Sequence, residues 1–435
     1  MILRRALPSF SLCLALLAQA QSGQAQPKHT PEADDKRTSD SAVDTSAAAF
    51  PSLSRAIALA RDHAPQVITA RGMTNVAQSS QIGARLSPLT NPYLEVFADR
   101  GTTGTRDLTI AANLWLPIEL GGQRSLRIAE SDAWIAWAGT NLEAARAFAA
   151  SEAIRAYGTA LVAAERARIG ENILATARSE SALYQARLDA KDATVLDARL
   201  ANLEVSRNQS MLTEARADLS RALADLARLT GETSIAPPDA SVSVDPPAPK
   251  TDASSTTSID RAVEGSPFVR SSAREAEFRQ REGARLGRDS HAPVNFILSA
   301  GRGDLGETRL GAGLAWTFPM LRTNQGEQAR AEAERARALA ENETQRRAMT
   351  ATLRGLYTEL TQTRAAADEM STTAEVEAQA LVDAAVEMQR AGKSEYLRVL
   401  MMRRDLAMLR TRRLELIKRA WSITADITAV TGDAP

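Results

Sequence analysis

Two stretches of this chain alternate apolar and polar residues with the period of a strand. Nearly everything else repeats its apolar positions every three or four residues, the period of a helix. In 107–117, Leu108, Ile110, Ala112, Leu114 and Leu116 alternate with Thr109, Ala111, Asn113 and Trp115. In 309–318, Leu310, Ala312, Leu314, Trp316 and Phe318 alternate with Arg309, Gly311, Gly313, Ala315 and Thr317. Each run has a partner strand just before it, at 93–100 and 294–300, joined through turn-rich tips at 101–105 and 301–307. The helical stretches carry narrow coiled-coil stripes: Ala147, Ala150, Ile154, Tyr157, Leu161, Ala164 in one, and Leu406, Leu409, Arg413, Leu416, Ala420, Ile423, Ile427, Val430 in another.

The same order of elements occurs twice. A helix of about thirty residues (57–86; 257–288) precedes the strand pair, followed by a very long helix (124–189; 324–390), a turn, and a helix of nearly forty (194–230; 394–431). Pro88, Pro92 and Pro293 end the first helices, and Pro117 and Pro319 close the strand pairs. Pro65 and Pro267 are 202 positions apart, as are Pro117 and Pro319; Ala190 and Ala391, and Gly231 and Gly432, are 201 apart. Chance matches would scatter in offset, so the chain is a duplication. The resulting division is a signal peptide (1–20), a disordered tail (21–51), a first repeat (52–236), a proline-rich linker (237–256) and a second repeat (257–435). At about 1.5 Å per residue each long helix reaches about 100 Å, and the two shorter helices of a repeat sum to the same length.

The N-terminus sets the compartment. Arg4 and Arg5, the apolar run Leu12 to Leu17 and the small-residue pattern Ala18-Gln19-Ala20 read as a cleaved secretory signal, with Gly23-Gln24-Ala25 as the alternative cleavage site. Leu12 is too large for the residue before a lipidated cysteine, so Cys13 leaves with the signal and the chain is expected not to be a lipoprotein. No other apolar stretch is long enough for a spanning helix, so membrane insertion must use the strands. Four strands cannot close a spanning barrel, since the smallest use about eight, and several protomers must share one.

Composition removes other classes of function. Hydrophobic residues make up 44% of the chain but aromatics only 4%, and much of the remainder is alanine, which suits long, closely packed helices. Lys+Arg and Asp+Glu both number 53, so there is no basic excess to neutralise nucleic acid. One Cys and three His (His29, His63, His291), none with a second ligand at metal spacing, give no metal site. Gly121-Gly122 lacks the Lys-Ser/Thr of a phosphate loop, and Ser, His and Asp form no nucleophile motif. No enzyme activity and no cofactor are expected.

The opening "LSRAIALARDHAPQV", the strand approach "SPLTNPYLEVFADRG" and "LWLPIELGGQRSLRIAESDA" beyond the second strand resemble the outer membrane efflux protein family, the TolC-like channels. The string "PIELGGQR" is most similar to the heavy-metal cation (cobalt-zinc-cadmium) branch. The resemblance covers residues 52–432 and implies a mainly α fold with a small β-barrel portion. Four barrel strands per protomer would make a homotrimeric twelve-stranded barrel in outer membrane lipid, above a helical periplasmic tunnel. It implies docking to a periplasmic adaptor and an inner-membrane pump of RND type, and passive export of divalent heavy-metal cations. The alternatives are the same channel serving organic drugs or type I secretion, and a periplasmic coiled-coil scaffold.

The resemblance also places candidate sites. Ala190, Lys191 and Asp192, with Ala391, Gly392 and Lys393, form the adaptor-docking turns. Asp189, Asp197, Arg390, Glu395, Tyr396 and Arg398 flank them as gate candidates. Related channels are constricted by acidic residues just beyond the second turn. Arg398 is basic there and Asp197 holds the matching place in the first repeat, so the expected gate is an Asp/Arg link between repeats. Leu108, Ile110, Leu114, Leu116, Leu310, Leu314, Trp316 and Phe318 are the expected lipid-facing strand residues.

Overall fold

The computed structural model describes residues 47–87, 90–100, 108–250, 256–290, 293–302, 307–318, 320–321, 323–391, 393 and 395–435. The signal peptide with Cys13, the tail as far as residue 46 with His29, Pro88, the first strand tip, 303–306 of the second tip, His291, Pro319, Gly392 and Ser394 lie outside the described residues.

Each repeat begins with two helices: α1 (Leu53–His63) and α2 (Pro65–Arg85) in the first, α5 (Thr256–Gly265) and α6 (Pro267–Asp289) in the second. The sequence pattern runs straight through both joints, but the prolines divide them. Ala64 (φ −58°, ψ 139°) and Ser266 (φ −55°, ψ 128°) are pushed out of the helical region by the ring that follows, and Pro65 and Pro267 then open new helices. After α2 come β1 (Tyr93–Arg100) and β2 (Leu108–Ile118), then α3 (Gln123–Asp189) and α4 (Val195–Thr230). After α6 come β3 (Val294–Arg302) and β4 (Thr308–Ala315), then α7 (Gln325–Glu369), a π turn (Met370–Ala374), α8 (Glu375–Arg390) and α9 (Tyr396–Thr431). The expected single helix over 324–390 is therefore interrupted, where α3 in the first repeat is not. The left-handed residues Gly122 and Asn324 precede α3 and α7 at matching places.

The strands form one antiparallel sheet in the order β1-β2-β3-β4. Pro117 does not close its strand but lies within β2, opposite Asn295. β1 starts only at Tyr93, opposite Trp115, so the missing proline N–H removes no bond on the β1 side. Residues paired directly across a ladder share a face. One face then carries Leu94, Val96 and Ala98; Leu108, Ile110, Ala112, Leu114, Leu116 and Ile118; Val294, Phe296, Leu298 and Ala300; and Leu310, Ala312 and Leu314. Every one is apolar, and Arg100 and Arg302 appear only at the tip end. The other face mixes Glu95, Asp99, Thr109, Asn113, Asn295, Ser299 and Arg309 with Phe97, Pro117, Ile297, small residues and the stacked pair Tyr93 and Trp115, 5.4 Å apart. Trp316 and Phe318, expected within the last strand, fall beyond its end: the β3–β4 ladder stops at Asn295 and Ala315, although β3 itself starts one residue earlier, at Val294, paired with Ile118. They remain exposed and pack on each other with centroids 4.5 Å apart and the rings tilted by 43°.

The helices meet in an alanine-rich core in which Trp421 of α9 lies flat against Gly158 of α3. The Trp421 Nε1 donates to the Val244 carbonyl (2.7 Å), and Arg364 donates to the carbonyls of Pro246 and Pro247 (3.0 and 2.7 Å), which fastens the proline-rich linker to the bundle. Residues at the end of the expected tail are also seated: Ala48 bridges to Ile235, and Phe50 packs on Tyr157 at 5.0 Å.

Candidate functional site: the helical turns and the link between repeats

At the far end of the helices from the sheet, the two turns are built alike. Ala190 ends α3 with its N–H on the Ala186 carbonyl (3.1 Å), and Asp192 reaches back to the Arg187 carbonyl (2.7 Å). At the second turn the Ala391 N–H bonds the Glu387 carbonyl (3.0 Å), and the Lys393 N–H bonds the Met388 carbonyl (2.8 Å). This six-to-one closure needs a left-handed residue at its centre. Lys191 supplies it with φ 61°, a strained choice for a side chain with a Cβ, and Gly392 stands at the matching sequence position. Both turns project charged and apolar groups outward, including Asp192, Val195, Leu196 and Leu397.

Asp197 is held by its own helix. Thr194 caps α4 by accepting from the Asp197 N–H (3.1 Å), while an Asp197 carboxylate oxygen accepts from the Thr194 N–H (3.3 Å) and hydroxyl (2.7 Å). Glu395 is the N-cap of α9, and its carbonyl accepts from the Arg398 N–H at 3.2 Å. Asp189 accepts from Gln185 (3.3 Å), and Arg390 pairs with Glu387 at 2.9 Å on an exposed surface. Among the described residues of the single chain no ion pair joins Asp197 to Arg398, so the structure does not bring these two together.

The structure instead joins the repeats about two helical turns from the tip. Tyr184 of α3 and Tyr396 of α9 pack ring on ring at 4.3 Å, buried with Ala198 and Ala201 of α4. The Tyr396 hydroxyl donates to Glu180 at 3.5 Å. Arg403 of α9 pairs with the same carboxylate, Gln389 of α8 donates to the Tyr184 hydroxyl, and Arg404 of α9 pairs with the buried Glu204 of α4. Burial pushes the Glu180 carboxyl above its ordinary range, and Arg403 and Tyr396 pull it back only in part. Burial likewise raises both tyrosines, so their hydroxyls stay protonated, Tyr396 donating to Glu180 and Tyr184 accepting from Gln389. Of this cluster the sequence had singled out only Tyr396. The available signal was Glu180 and Tyr184 spaced four apart on one face of an alanine-rich helix.

The sheet supplies the other functional surface. β2 spans eleven residues, and at about 3.3 Å per residue with a tilt of about 40° its apolar face is about 25 Å tall, the height of a barrel's lipid band. Among the described residues no helix is long and apolar enough to cross a membrane, and no three His, Cys, Asp or Glu side chains converge on a common point.

No protein-family model matches the chain. It is 28% identical over 357 residues to the cobalt-zinc-cadmium resistance protein CzcC of Cupriavidus metallidurans, covering 80% of this chain and 82% of that protein. Its fold is similar to crystal structures of CusC (TM-score 0.70, 13% identity, 88% of this chain and 92% of that one). It is also similar to the outer-membrane channel OprN (0.70, 17%, 88% and 91%). The outer membrane protein VceC of Vibrio cholerae matches as well (0.68, 16%, 88% and 96%).

Proposed function

We propose that the chain belongs to the TolC-like outer membrane efflux channels and is the passive exit duct of a tripartite efflux system that expels divalent heavy-metal cations. It is a transport protein and not an enzyme. The observation that supports this reading is a four-stranded sheet with one face apolar up to Arg100, Arg302 and Thr308 at its tip end and the other face holding the sheet's remaining polar residues, standing on helices of up to 67 residues. The apolar face belongs against lipid, the polar face lines a water-filled lumen, and the helices continue that lumen through the periplasm. β1 and β4 each keep one edge without a partner among the described residues, so the barrel closes only when copies join, in the family's case three.

In this assignment the turns at 190–192 and 391–393 meet the periplasmic adaptor, and a pump of the inner membrane supplies the energy. Gln389, Tyr396, Arg403 and Arg404 of the second repeat hold it against Glu180, Tyr184 and Glu204 of the first, and releasing them lets the helices part. Asp197 and Arg398, in the first turns of α4 and α9, are proposed to narrow the entrance as fixed charges. A duct needs no tight cation site, since tight binding slows release. The metal preference is supported by the relationship to CzcC. Deleting the gene tests it: sensitivity to zinc, cobalt and cadmium is expected, whereas sensitivity confined to detergents and antibiotics moves the channel to organic substrates.

A further inference from the structure

The apolar face of the sheet carries charge at one end only. Its helix end finishes on Leu94, Leu116, Ile118, Val294, Phe296 and Leu314, all apolar. At its tip end Arg100 lies opposite Leu108, and Arg302 lies opposite Ile110 on one side and Thr308 on the other. Both arginines are exposed. Neighbouring strands are about 4.8 Å apart and successive residues about 3.3 Å, so the two Cα atoms lie roughly 12 Å apart on this face, with Leu108 and Ile110 of β2 between them. The acids of this end serve the opposite face: Asp99 lies on it, and Glu307, the residue before β4, pairs with Arg309 there at 2.5 Å. Among the described residues neither Arg100 nor Arg302 has a carboxylate partner.

A cation on a lipid-facing surface costs most at mid-membrane and least at the boundary. That explains why the arginines stand at an edge of the apolar band, but not why only one edge has them. With the helices in the periplasm, the tip end meets the outer leaflet of the outer membrane, whose lipid is a phosphorylated glycolipid, while the helix end meets ordinary phospholipid. We propose that Arg100 and Arg302, with the Thr308 hydroxyl beside Arg302, bind the phosphate groups of that outer-leaflet glycolipid, its acyl chains lying along Leu108, Ile110 and Leu310. The planar guanidinium fork suits a phosphate, to which it donates two parallel hydrogen bonds. Two forks on one face, separated by apolar side chains, match a headgroup with more than one phosphate above a hydrocarbon body. The inference rests on the channel reading, which decides which end of the sheet faces outward, and adds a lipid site to it.

Heat dissociation of the purified full-chain oligomer in neutral detergent, followed on gels, tests it with lipid A carrying both its phosphates as the probe. The dissociation temperature should rise saturably with this lipid, and Arg100→Gln with Arg302→Gln should raise the half-saturating concentration about tenfold or more. Arg309→Gln, on the opposite face, should leave the titration unchanged. Dephosphorylated lipid A, phosphatidylglycerol and inorganic phosphate should each give no comparable rise. An equal rise with dephosphorylated lipid A or with phosphatidylglycerol, or an unchanged half-saturation in the double variant, overturns the site. If the double variant fails to assemble, the comparison of the two forms of lipid A on the native protein decides. Discrete conductance steps from the same preparation leave the channel reading standing when the lipid site fails; a preparation that is monomeric and does not conduct overturns both.

Discussion

Arg403 of α9 pairs with Glu180 of α3, an ion pair that spans the boundary between the two repeats close to the turns, beside the pair of Arg404 with Glu204. Both side chains are largely withdrawn from water, and the Tyr396 hydroxyl adds a second donor to the same carboxylate. Arg403→Ala leaves Glu180 with a weak donor only, at a cost of about 1–3 kcal/mol to the linked state. The open population of the channel should then rise by roughly 5- to 150-fold. Single-channel recordings check this, and Arg390→Ala, whose pair is exposed, should leave them unchanged.

The same carboxylate makes the link sensitive to pH. Burial raises the Glu180 pKa in the linked state above the ordinary 4.5 that it regains when solvated. A raised pKa means that the linked state binds the proton more tightly. Its contribution is therefore full below 4.5 and is lost as pH rises through the raised value. Open probability should increase with pH across that window, and Glu180→Gln should flatten the response.

The two faces of the sheet make opposite predictions. Ile110→Lys and Leu314→Lys each place a charge on the apolar face and should cost about 2–4 kcal/mol near mid-membrane, seen as reduced assembly into heat-resistant oligomers. Asn113→Lys, on the other face, should assemble normally and change ion selectivity instead.

Gly158 is a packing requirement. A Cβ there would lie 2.2 Å from Trp421 Cγ, and Trp421 is anchored to Val244 and cannot withdraw. Gly158→Ala should destabilise the bundle by about 1–3 kcal/mol and lower its thermal midpoint.

The duplication, the strand parity and the helix order were legible because each rests on a local period: Leu108 to Leu116 and Leu310 to Leu314 take the faces their alternation demands. The breaks at Pro65 and Pro267 were legible in principle, since the ring acts on the preceding residue, but the apolar stripe continues across them and conceals the joint. The π turn at Met370–Ala374 has no local signature. Nor does the pairing of Glu180 with Arg403, 223 positions apart, since no periodicity connects helices that meet only through the fold. The fate of Asp197 shows a competition that the sequence does present: Thr194 and Asp197 have the spacing of a capping box, and that local use claims the carboxylate within the chain. Trp316 and Phe318 continue the alternation in the sequence but lie beyond the ladder that ends at Asn295 and Ala315, so the sheet assigns them no face.

Reconstitution of the purified protein in planar lipid bilayers tests the central claim most directly. The account predicts discrete, reproducible conductance steps from an oligomer that inserts through its strands, small in the native protein and larger in Arg403→Ala. Protein that stays in the aqueous phase, or that binds the bilayer without conducting in either form, would contradict it.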